Sequence, residues 1–302
     1  MLLSALVAFH SAQASGPSMT VYAMAVGQGD GNIILCPNGK DVLIVDMGGK
    51  NPVFNTRVYG SHLLKEKFGV VSGNKNIHIV VSHPYDDHYN QLTAMDSELI
   101  PRVSEIVLGG SIKDYSTYFV KWLNESGFPV YTINGGAKCF GNDECTWTKA
   151  AEFPSRIDSS LSEHLRRTAS SGGDPWQFCG SDVSITALGA NIGKTENLHT
   201  KCVVLKLVYK QWSVLMSGDF EGKSQQRELV NRWQNNLQST YYKVAHHGAW
   251  TDEYRANLPE LLAKIRPKRA YVSHGYPGVS SFHHPNCQTI CLLLALGTID
   301  TV

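Results

Sequence analysis

Short apolar runs alternate along the chain with clusters of glycine, asparagine and proline, a pattern typical of a protein rich in β-strands. Near the N-terminus, "GQGDG" and "PNGK" join three such runs, which predicts an antiparallel meander. Further strands are predicted at "NIHIVVS", "SEIVLGG", "FPVYTI", "DVSITAL", "CVVLKLVYK", "WSVLMSGD", "YYKVAH" and "RAYVSHG". Helices are predicted near 58–68, 89–97, 114–126, 222–233 and 253–264, and from Pro285 onward. Strands in sequence with helices in both halves predict layered sheets covered by helices, an α/β (α+β) sandwich.

Residues 134–180 break this pattern, because they are rich in glycine, serine, aspartate and cysteine. We interpret them as a loop-rich insertion with one short helix near 159–168, the kind of segment that often carries specificity. The sequence shows no internal repeat and no linker. We therefore expect residues 15–302 to form a single domain.

The N-terminus and the cysteines indicate an oxidising compartment. An apolar run, Leu2 to Phe9, precedes the small-residue pattern at residues 12–14, which predicts a signal peptide over residues 1–14 and a secreted chain. The alternative is a buried or frayed terminal segment of an incomplete chain. The chain has 7 cysteines, and the polar loop "CFGNDEC" favours a Cys139–Cys145 disulfide. Cys287 and Cys291 lie one helical turn apart, a poor geometry for bonding to each other.

Composition limits the possible functions only broadly. The hydrophobic fraction of 42% and the charged fraction of 18% are those of a soluble globular protein, and we expect no transmembrane segment in the mature chain. With a formal net charge of +1, the sequence has no strongly basic stripe. Contact with a polyanion would therefore be local.

Candidate chemistry gathers at the ends of predicted strands. "VVS" is followed by His83, "VLMSG" by Asp219, "YKVA" by the pair His246 and His247, and "AYVS" by His274. Loops at strand ends on a rigid sheet are a common place for active sites. Carboxylates together with imidazoles suit zinc or a similar divalent ion.

A dinuclear arrangement is one interpretation of these donors, because two ions roughly 3.5–4 Å apart form a known hydrolytic centre with a bridging carboxylate. Asp219 has the character of such a bridge, and the adjacent Asp87 and His88 could bind one ion together. The plainer alternatives are helix caps at Asp87 and Asp219. His246 and His247 could be surface histidines of a turn, and His274 suits a supporting role better than direct ligation. The coincidence of these groups at strand ends favours the metal site.

The stretch "HPYDDH" resembles the H-x-H-x-D-H signature of the metallo-β-lactamase superfamily. Five further motifs appear in the same order as in the hydrolase domain of bacterial competence DNA-uptake channel proteins: "VGQGDG", "LIVDMGG", "LMSGDF", "KVAHHGAW" and "VSHGYP…HHP". Secreted phosphorylcholine esterases share that order. The resemblance runs from about Val26 to Pro285 and implies a four-layer αββα fold with a metal centre at one edge of the two sheets.

The resemblance also implies roles for individual residues. His83 corresponds to a ligand of a first metal ion, Asp87 and His88 to ligands of a second, and Asp219 to the bridge. Of His246 and His247, one is expected on the metal and the other near the substrate, and the sequence leaves their order open. The remaining implied roles are orientation of ligands or backbone by Asp30 and Asp46, and a phosphate or leaving-group contact by His284.

Tyr85 departs from the signature, because a histidine normally stands there. A phenol is a poor zinc ligand at neutral pH, since its reference pKa is about 10. The first ion could then bind weakly and only with substrate, His199 of "NLHTKC" could move in, or one ion could suffice. A degenerate centre without catalysis is the fourth alternative.

The function that these features predict is hydrolysis by a metal-activated hydroxide, with one or two Zn²⁺ ions, or Mn²⁺ in their place. Phosphodiesters of nucleic acid or of a small molecule are the expected substrates, with Asp87, His246, His247 and His284 in catalytic roles. Lys194, Lys223 and Lys243 offer positive charge but no continuous track, which favours a small substrate. The alternatives are a lactamase, lactone or thioester hydrolase on the same fold, and a non-catalytic secreted homologue. The sequence leaves the oligomeric state open.

Overall fold

The first sheet begins with the antiparallel meander that the sequence predicts. The computed structural model describes residues 17–50, 58–133, 147–149, 178–192, 197–250, 255–275, 282–298 and 300–301. The strands of the first sheet are β1 (Thr20–Ala23), β2 (Gly31–Leu35), β3 (Asp41–Met47), β4 (Asn76–Val81), β5 (Val103–Leu108), β6 (Val130–Ile133) and β7 (Trp147–Lys149). They lie side by side in chain order, and the central pairs from β3 to β6 are parallel. The carboxyl ends of β3 and β4 therefore meet at one edge.

The second sheet repeats this design with a hairpin followed by parallel strands. Its strands are β8 (Val183–Gly189), β9 (Val204–Tyr209), β10 (Trp212–Met216), β11 (Tyr241–Lys243), β12 (Arg269–Tyr271) and β13 (Asp300–Thr301). Their order in the sheet is β13-β12-β11-β10-β9-β8, with β10 to β13 parallel. The ends of β10 and β11 thus carry Asp219 and the two adjacent histidines to neighbouring positions.

Strand β3 shows why the sheets bury both faces. Val42 and Ile44 pack with the helices outside the first sheet, whereas Leu43 and Val45 pack between the two sheets. Because side chains on a strand alternate between its two faces, a continuous apolar run contributes residues to two hydrophobic cores. A third core lies between the second sheet and the helices of the C-terminal half. The result is a four-layer αββα sandwich, as predicted.

The helices form the two outer layers. They are α1 (Tyr59–His62), which continues as a π-helical turn over Leu63–Lys67, α2 (Thr117–Ser126), α3 (Lys223–Trp233), α4 (Pro259–Ile265) and α5 (Cys287–Ala295). Local sequence explains their ends. Ser116 caps α2 through a bond from the Phe119 N–H, and Gly127 ends that helix at φ 79°. None of the helices among the described residues has both the length and the apolar character needed to cross a bilayer.

The prediction of a helix over 89–97 is wrong. Within this range the structure has one 3₁₀ turn, Leu92–Ala94, and another 3₁₀ turn, Asp86–His88, precedes it. Gln91 ties the segment to the end of β3, since its N–H donates to the Met47 carbonyl and its side chain donates to the Gly48 carbonyl. This tertiary pairing outweighs the helical pattern of the sequence and brings Asp87 and His88 to the end of β3.

A disulfide joins the two sheets. Cys36, just after β2, bonds to Cys179, just before β8, across 143 residues of sequence. The sequence did not predict this pair. The expected Cys139–Cys145 disulfide, the signal peptide over residues 1–14, the helix near 159–168 and most of the insertion at 134–180 lie outside the described residues. Cys287 and Cys291 are free and exposed, in agreement with their unsuitable spacing.

Candidate metal centre

Asp46, at the end of β3, organises the first pair of histidines. Its carboxylate accepts hydrogen bonds from the Ser82 N–H at 2.6 Å, the Ser82 hydroxyl at 2.7 Å and His88 Nδ1 at 2.9 Å. The Ser82 hydroxyl in turn lies 3.0 Å from His83 Nδ1 and accepts from it. With both Nδ1 atoms engaged, the Nε2 atoms of His83 and His88 are left for another partner. The predicted supporting role of Asp46 thus has a clear geometry.

Two glycines explain the motifs "GQGD" and "DMGG", because the backbone of Asp87 passes directly against them. A Cβ added to Gly48 would lie 2.4 Å from the Asp87 carbonyl, and one added to Gly29, at φ +135°, would lie 2.4 Å from the same oxygen. The Asp30 N–H donates to that oxygen at 3.1 Å. Only glycine allows this approach, which fixes Asp87 beside His88.

Asp219 is the point where the donors converge. Its Oδ2 atom lies 3.3 Å from Nε2 of His88, 3.1 Å from Nε2 of His247 and 3.8 Å from Nε2 of His246. Asp219 is buried at 3% exposure, so these groups meet in a site largely shielded from water. The structure therefore brings together residues separated by up to 159 positions of sequence around one carboxylate oxygen.

The adjacent histidines after β11 point to different partners because both adopt left-handed backbone conformations, at φ 48° and 53°. Such conformations cost a non-glycine residue roughly 1–2 kcal/mol and persist only where the surroundings enforce them. Here the His246 N–H donates to the Gly218 carbonyl at 3.1 Å. His247 Nδ1 donates to the Ser273 carbonyl at 2.7 Å, and His246 Nδ1 donates to Glu221 at 2.6 Å.

The donors fall into groups that fit a divalent cation. Asp87, His88 and His247 offer ligand atoms within 4.8 Å of one another, and so do His199, Asp219 and His246. His83, His88 and Asp219 form a further such group. The Nε2 atoms of His83, His88 and His247 are buried and make no aligned hydrogen bond. Buried nitrogen atoms that crowd a carboxylate without hydrogen bonding to it are the arrangement expected of metal ligands.

The carboxylates set the charge of the histidines in the absence of a cation. Burial alone would lower the pKa of His247, but Asp219 and Asp87 outweigh it and raise that pKa to about 10. The same balance, with Asp219 and Asp46 as the acidic partners, raises the pKa of His88 well above its usual value. Burial, together with the charge of His88, lowers the pKa of His83. A cation entering the site must therefore displace protons.

Lys243 corrects one expectation of the sequence. The sequence predicts that Lys243 offers positive charge to the substrate, but Lys243 is 1% exposed and forms an ion pair with Asp30. Its Nζ also donates to the Gly218 carbonyl at 3.0 Å and lies 3.5 Å from Asp219 Oδ1. Burial alone would lower the pKa of Lys243, but Asp30 and Asp219 raise it, so the lysine stays charged. A lysine inside the apolar run "YYKVA" was the signal for this buried ion pair.

Glu221 is a buried acidic residue of the site that the strand-end pattern does not indicate. It is 0% exposed and accepts hydrogen bonds from His199 Nδ1 at 2.9 Å, His246 Nδ1 at 2.6 Å and the Asn197 side chain at 2.7 Å. Although burial opposes ionisation, these histidines lower the pKa of Glu221 to about 2. Its position two residues after Asp219 was the available signal.

Other predicted residues lie around the donors. Tyr85 is 39% exposed, and its ring stacks on that of His199 with centroids 4.5 Å apart. Burial, with the nearby Glu221 and Asp87, raises the pKa of the Tyr85 hydroxyl. Asp30 is buried 3.7 Å from His88 Nδ1, which suits its expected supporting role. His274 Nδ1 bonds to the Gly275 carbonyl, and His274 is in none of the donor groups formed by the described residues.

A cavity of about 720 Å³ opens beside Asp219, His246 and His247. Its lining includes the aromatic side chains of Tyr85, Tyr89, Tyr115 and Phe282, together with Lys50 and His284. The His284 ring lies 5.9 Å from that of His246. Burial, and the proximity of His246 and His247, lower the pKa of His284 to about 4, so it is neutral at pH 7. The cavity has the size of a small-molecule site.

The fold and the donor arrangement define the class: the chain is a four-layer αββα sandwich with a candidate metal centre at the carboxyl ends of its strands. No protein-family profile and no curated protein matches the sequence.

Solved structures that align with this chain include human tRNase Z, short form, at 13% identity and a TM-score of 0.47, covering 84% of this chain and 92% of that one. The metallo-β-lactamase-fold protein YhfI from Bacillus subtilis aligns at 9% identity and a TM-score of 0.46, covering 93% and 94%. A metal-dependent hydrolase from Parabacteroides distasonis aligns at 12% identity and a TM-score of 0.42, covering 94% and 93%.

Proposed function

We propose that this protein is a metal-dependent hydrolase that uses zinc and cleaves phosphodiester bonds. The observation that carries the proposal is the convergence of three imidazole Nε2 atoms, those of His88, His246 and His247, within 3.8 Å of Asp219 Oδ2. Carboxylate and imidazole donors in a largely buried site at strand ends suit a zinc centre better than a structural cluster.

The donor groups suggest how ions would be held. Asp87, His88 and His247 would hold one ion, and Asp219 lies between this group and the donors on the His246 side. Asp219 therefore suits the bridging role that the sequence predicts. A bound divalent cation would supply Lewis acidity and lower the pKa of water to about 7.

The remaining residues of the cavity bind and orient the substrate. Lys50 offers a positive charge to an anionic group, and His284, neutral at pH 7, can hydrogen-bond a phosphate or leaving-group oxygen. His246 and His247 lie on the metal side of the same cavity. Aromatic walls and a volume of about 720 Å³ favour a small phosphodiester over a long polymer.

Hydrolysis of bis-p-nitrophenyl phosphate with added zinc or manganese tests this proposal. We expect turnover by the natural chain and a loss of at least 100-fold in Asp219→Asn, because removing a metal-bridging charge weakens the centre. Glu105→Gln is the matched control, since Glu105 binds a histidine far from the cavity, His78, and its loss should leave turnover unchanged. No turnover by the natural chain, or equal turnover by Asp219→Asn, would refute a metal-dependent phosphodiesterase.

Two alternatives are separated by further measurements. Cleavage of nitrocefin or of a lactone, without cleavage of the phosphodiester, would indicate the lactamase-type activity. Less than about half an equivalent of metal per chain after gentle purification would favour a non-catalytic homologue. Elemental analysis of the same sample also distinguishes zinc from manganese or iron.

We also propose that the protein is secreted. The Cys36–Cys179 disulfide supports this, because such bonds persist in oxidising compartments. Expression of the full chain with a C-terminal tag would test it. We expect the tagged protein outside the cell with Ser15 as its first residue; retention inside the cell with residues 1–14 attached would contradict secretion.

A further inference from the structure

The carboxylate of Glu221 accepts hydrogen bonds from two imidazoles, those of His199 and His246. Its Oε1 atom lies 2.9 Å from His199 Nδ1, and its Oε2 atom lies 2.6 Å from His246 Nδ1. The two rings have centroids 4.2 Å apart. The Asn197 side chain holds this arrangement together, since its Nδ2 donates to Glu221 Oε1 and its Oδ1 accepts from the His199 backbone N–H.

We propose that Glu221 is a positioning residue that presents His199 and His246 as paired nitrogen donors to an ion on the Asp219 side of the centre. This pair replaces the nitrogen that Tyr85 cannot supply. The inference rests on the proposed metal centre, and it assigns to Glu221 a role beyond ordinary folding.

The chemistry of a carboxylate explains the effect. An ionised carboxylate only accepts hydrogen bonds, so both histidines must carry their proton on Nδ1. Each Nε2 atom then keeps its lone pair, and ligand atoms of His199, Asp219 and His246 lie within 4.8 Å of one another. Hydrogen bonds of this kind, from the distal ring nitrogen to a carboxylate, orient metal-binding histidines in many proteins.

Tyr85 lies beside this pair of histidines. Its ring stacks on His199 at an interplanar angle of 16° and lies 5.3 Å from the His83 ring. The tyrosine thus packs against the edge of the centre and supports the orientation of His199. The tyrosine at this position is accommodated because His246, which follows β11, approaches Asp219, which follows the neighbouring parallel strand β10.

Glu221→Gln tests the proposal, because it replaces one acceptor oxygen by a donor amide of the same shape. Asn197 and His199 both donate to Oε1, so the glutamine oxygen should remain there and its amide should face His246 Nδ1. His246 must then move its proton to Nε2, which blocks the lone pair. Glu105→Gln is the matched control, since Glu105 accepts from His78 Nδ1 outside the site.

Three readouts are compared in the two variants and the natural chain. Chelator competition with zinc should show one dissociation constant raised about 10- to 100-fold in Glu221→Gln and the other changed less than about threefold. The visible absorption of the cobalt-substituted protein should lose the contribution of one site. Imidazole ¹⁵N NMR of the metal-free protein should show a tautomer change at His246 and none at His199, while circular dichroism confirms folding.

The outcomes separate this proposal from the one on which it rests. If the natural chain binds metal and Glu221→Gln keeps its affinities, cobalt spectrum and His246 tautomer, the positioning role is wrong and the hydrolase proposal stands. If Glu105→Gln weakens the metal sites as strongly, the effect is structural and the role of Glu221 is likewise refuted. If the natural chain binds no divalent cation, the proposed function fails together with this inference.

Discussion

The ring of His199 stacks on that of Tyr85, with centroids 4.5 Å apart and planes inclined by 16°. The tyrosine that interrupts the metal-binding signature is therefore a packing partner of a candidate ligand. Because His199 and His246 already offer nitrogen donors, Tyr85→His should change zinc affinity and turnover by less than about threefold. Isothermal titration and the phosphodiester assay check this, with Tyr85→Phe as the control for lost packing. A gain of tenfold or more would mean that the natural centre lacks a ligand.

The buried ion pair of Lys243 with Asp30 makes a prediction about folding. Lys243→Met should lower the free energy of unfolding by about 3–5 kcal/mol, because it leaves the Asp30 charge buried without its partner. The double variant Asp30→Asn with Lys243→Met should recover much of that loss. Urea unfolding in the presence of a chelator measures both. Equal stability of the single variant and the natural chain would show that the pair is dispensable.

Metal removal should destabilise the protein. A ligand that binds only the folded state stabilises it by about 2.7 kcal/mol at a concentration of 100 times its Kd. For a chain of 302 residues we therefore expect zinc to raise Tm by about 4 °C over the chelator-treated protein. Asp219→Asn, which weakens the shared carboxylate, should reduce this shift in differential scanning fluorimetry. The same Tm with zinc and with chelator would argue that the folded state has no zinc site.

Loss of the disulfide should also be measurable. Replacement of Cys36 and Cys179 by serine should lower the free energy of unfolding by about 2–5 kcal/mol, since the bond closes a loop of 143 residues in the unfolded chain. The matched control replaces the exposed Cys287 and Cys291, where we expect a change within about 0.5 kcal/mol. Denaturant unfolding of the natural chain and of the two double variants measures both changes in the free energy of unfolding.

The free cysteines should differ in reactivity. Burial raises the pKa of the Cys202 thiol well above its usual value, with Asp219 and Asp46 adding to the effect. Because the thiolate is the reactive form, Cys202 should resist iodoacetamide at pH 9 while Cys287 and Cys291 are labelled. Peptide mapping by mass spectrometry locates the label. In denaturant, Cys202 should react as fast as the other two, and fast labelling in the folded protein would contradict its burial.

Most strands can be predicted from the sequence because each apolar run packs against a hydrophobic core. In β3, every residue is buried. It also indicated the principal donors, since polar residues directly after apolar strands are visible in the sequence. The helix predicted over 89–97 failed for a physical reason: Gln91 bonds to the loop after β3, and that partner is far away in the chain.

Local pattern by itself therefore determined the layers of this protein and the strand ends where its donors gather. Only the tertiary structure decided which candidate metal donors lie together. It placed His247 with Asp87 and His88, and it bonded His246 to Glu221. It also decided the burial of Lys243 and the pairing of Cys36 with Cys179. The physical reason is that periodicity depends on the nearest few residues, whereas hydrogen bonds and charge pairing depend on distances that exist only after the two sheets have packed.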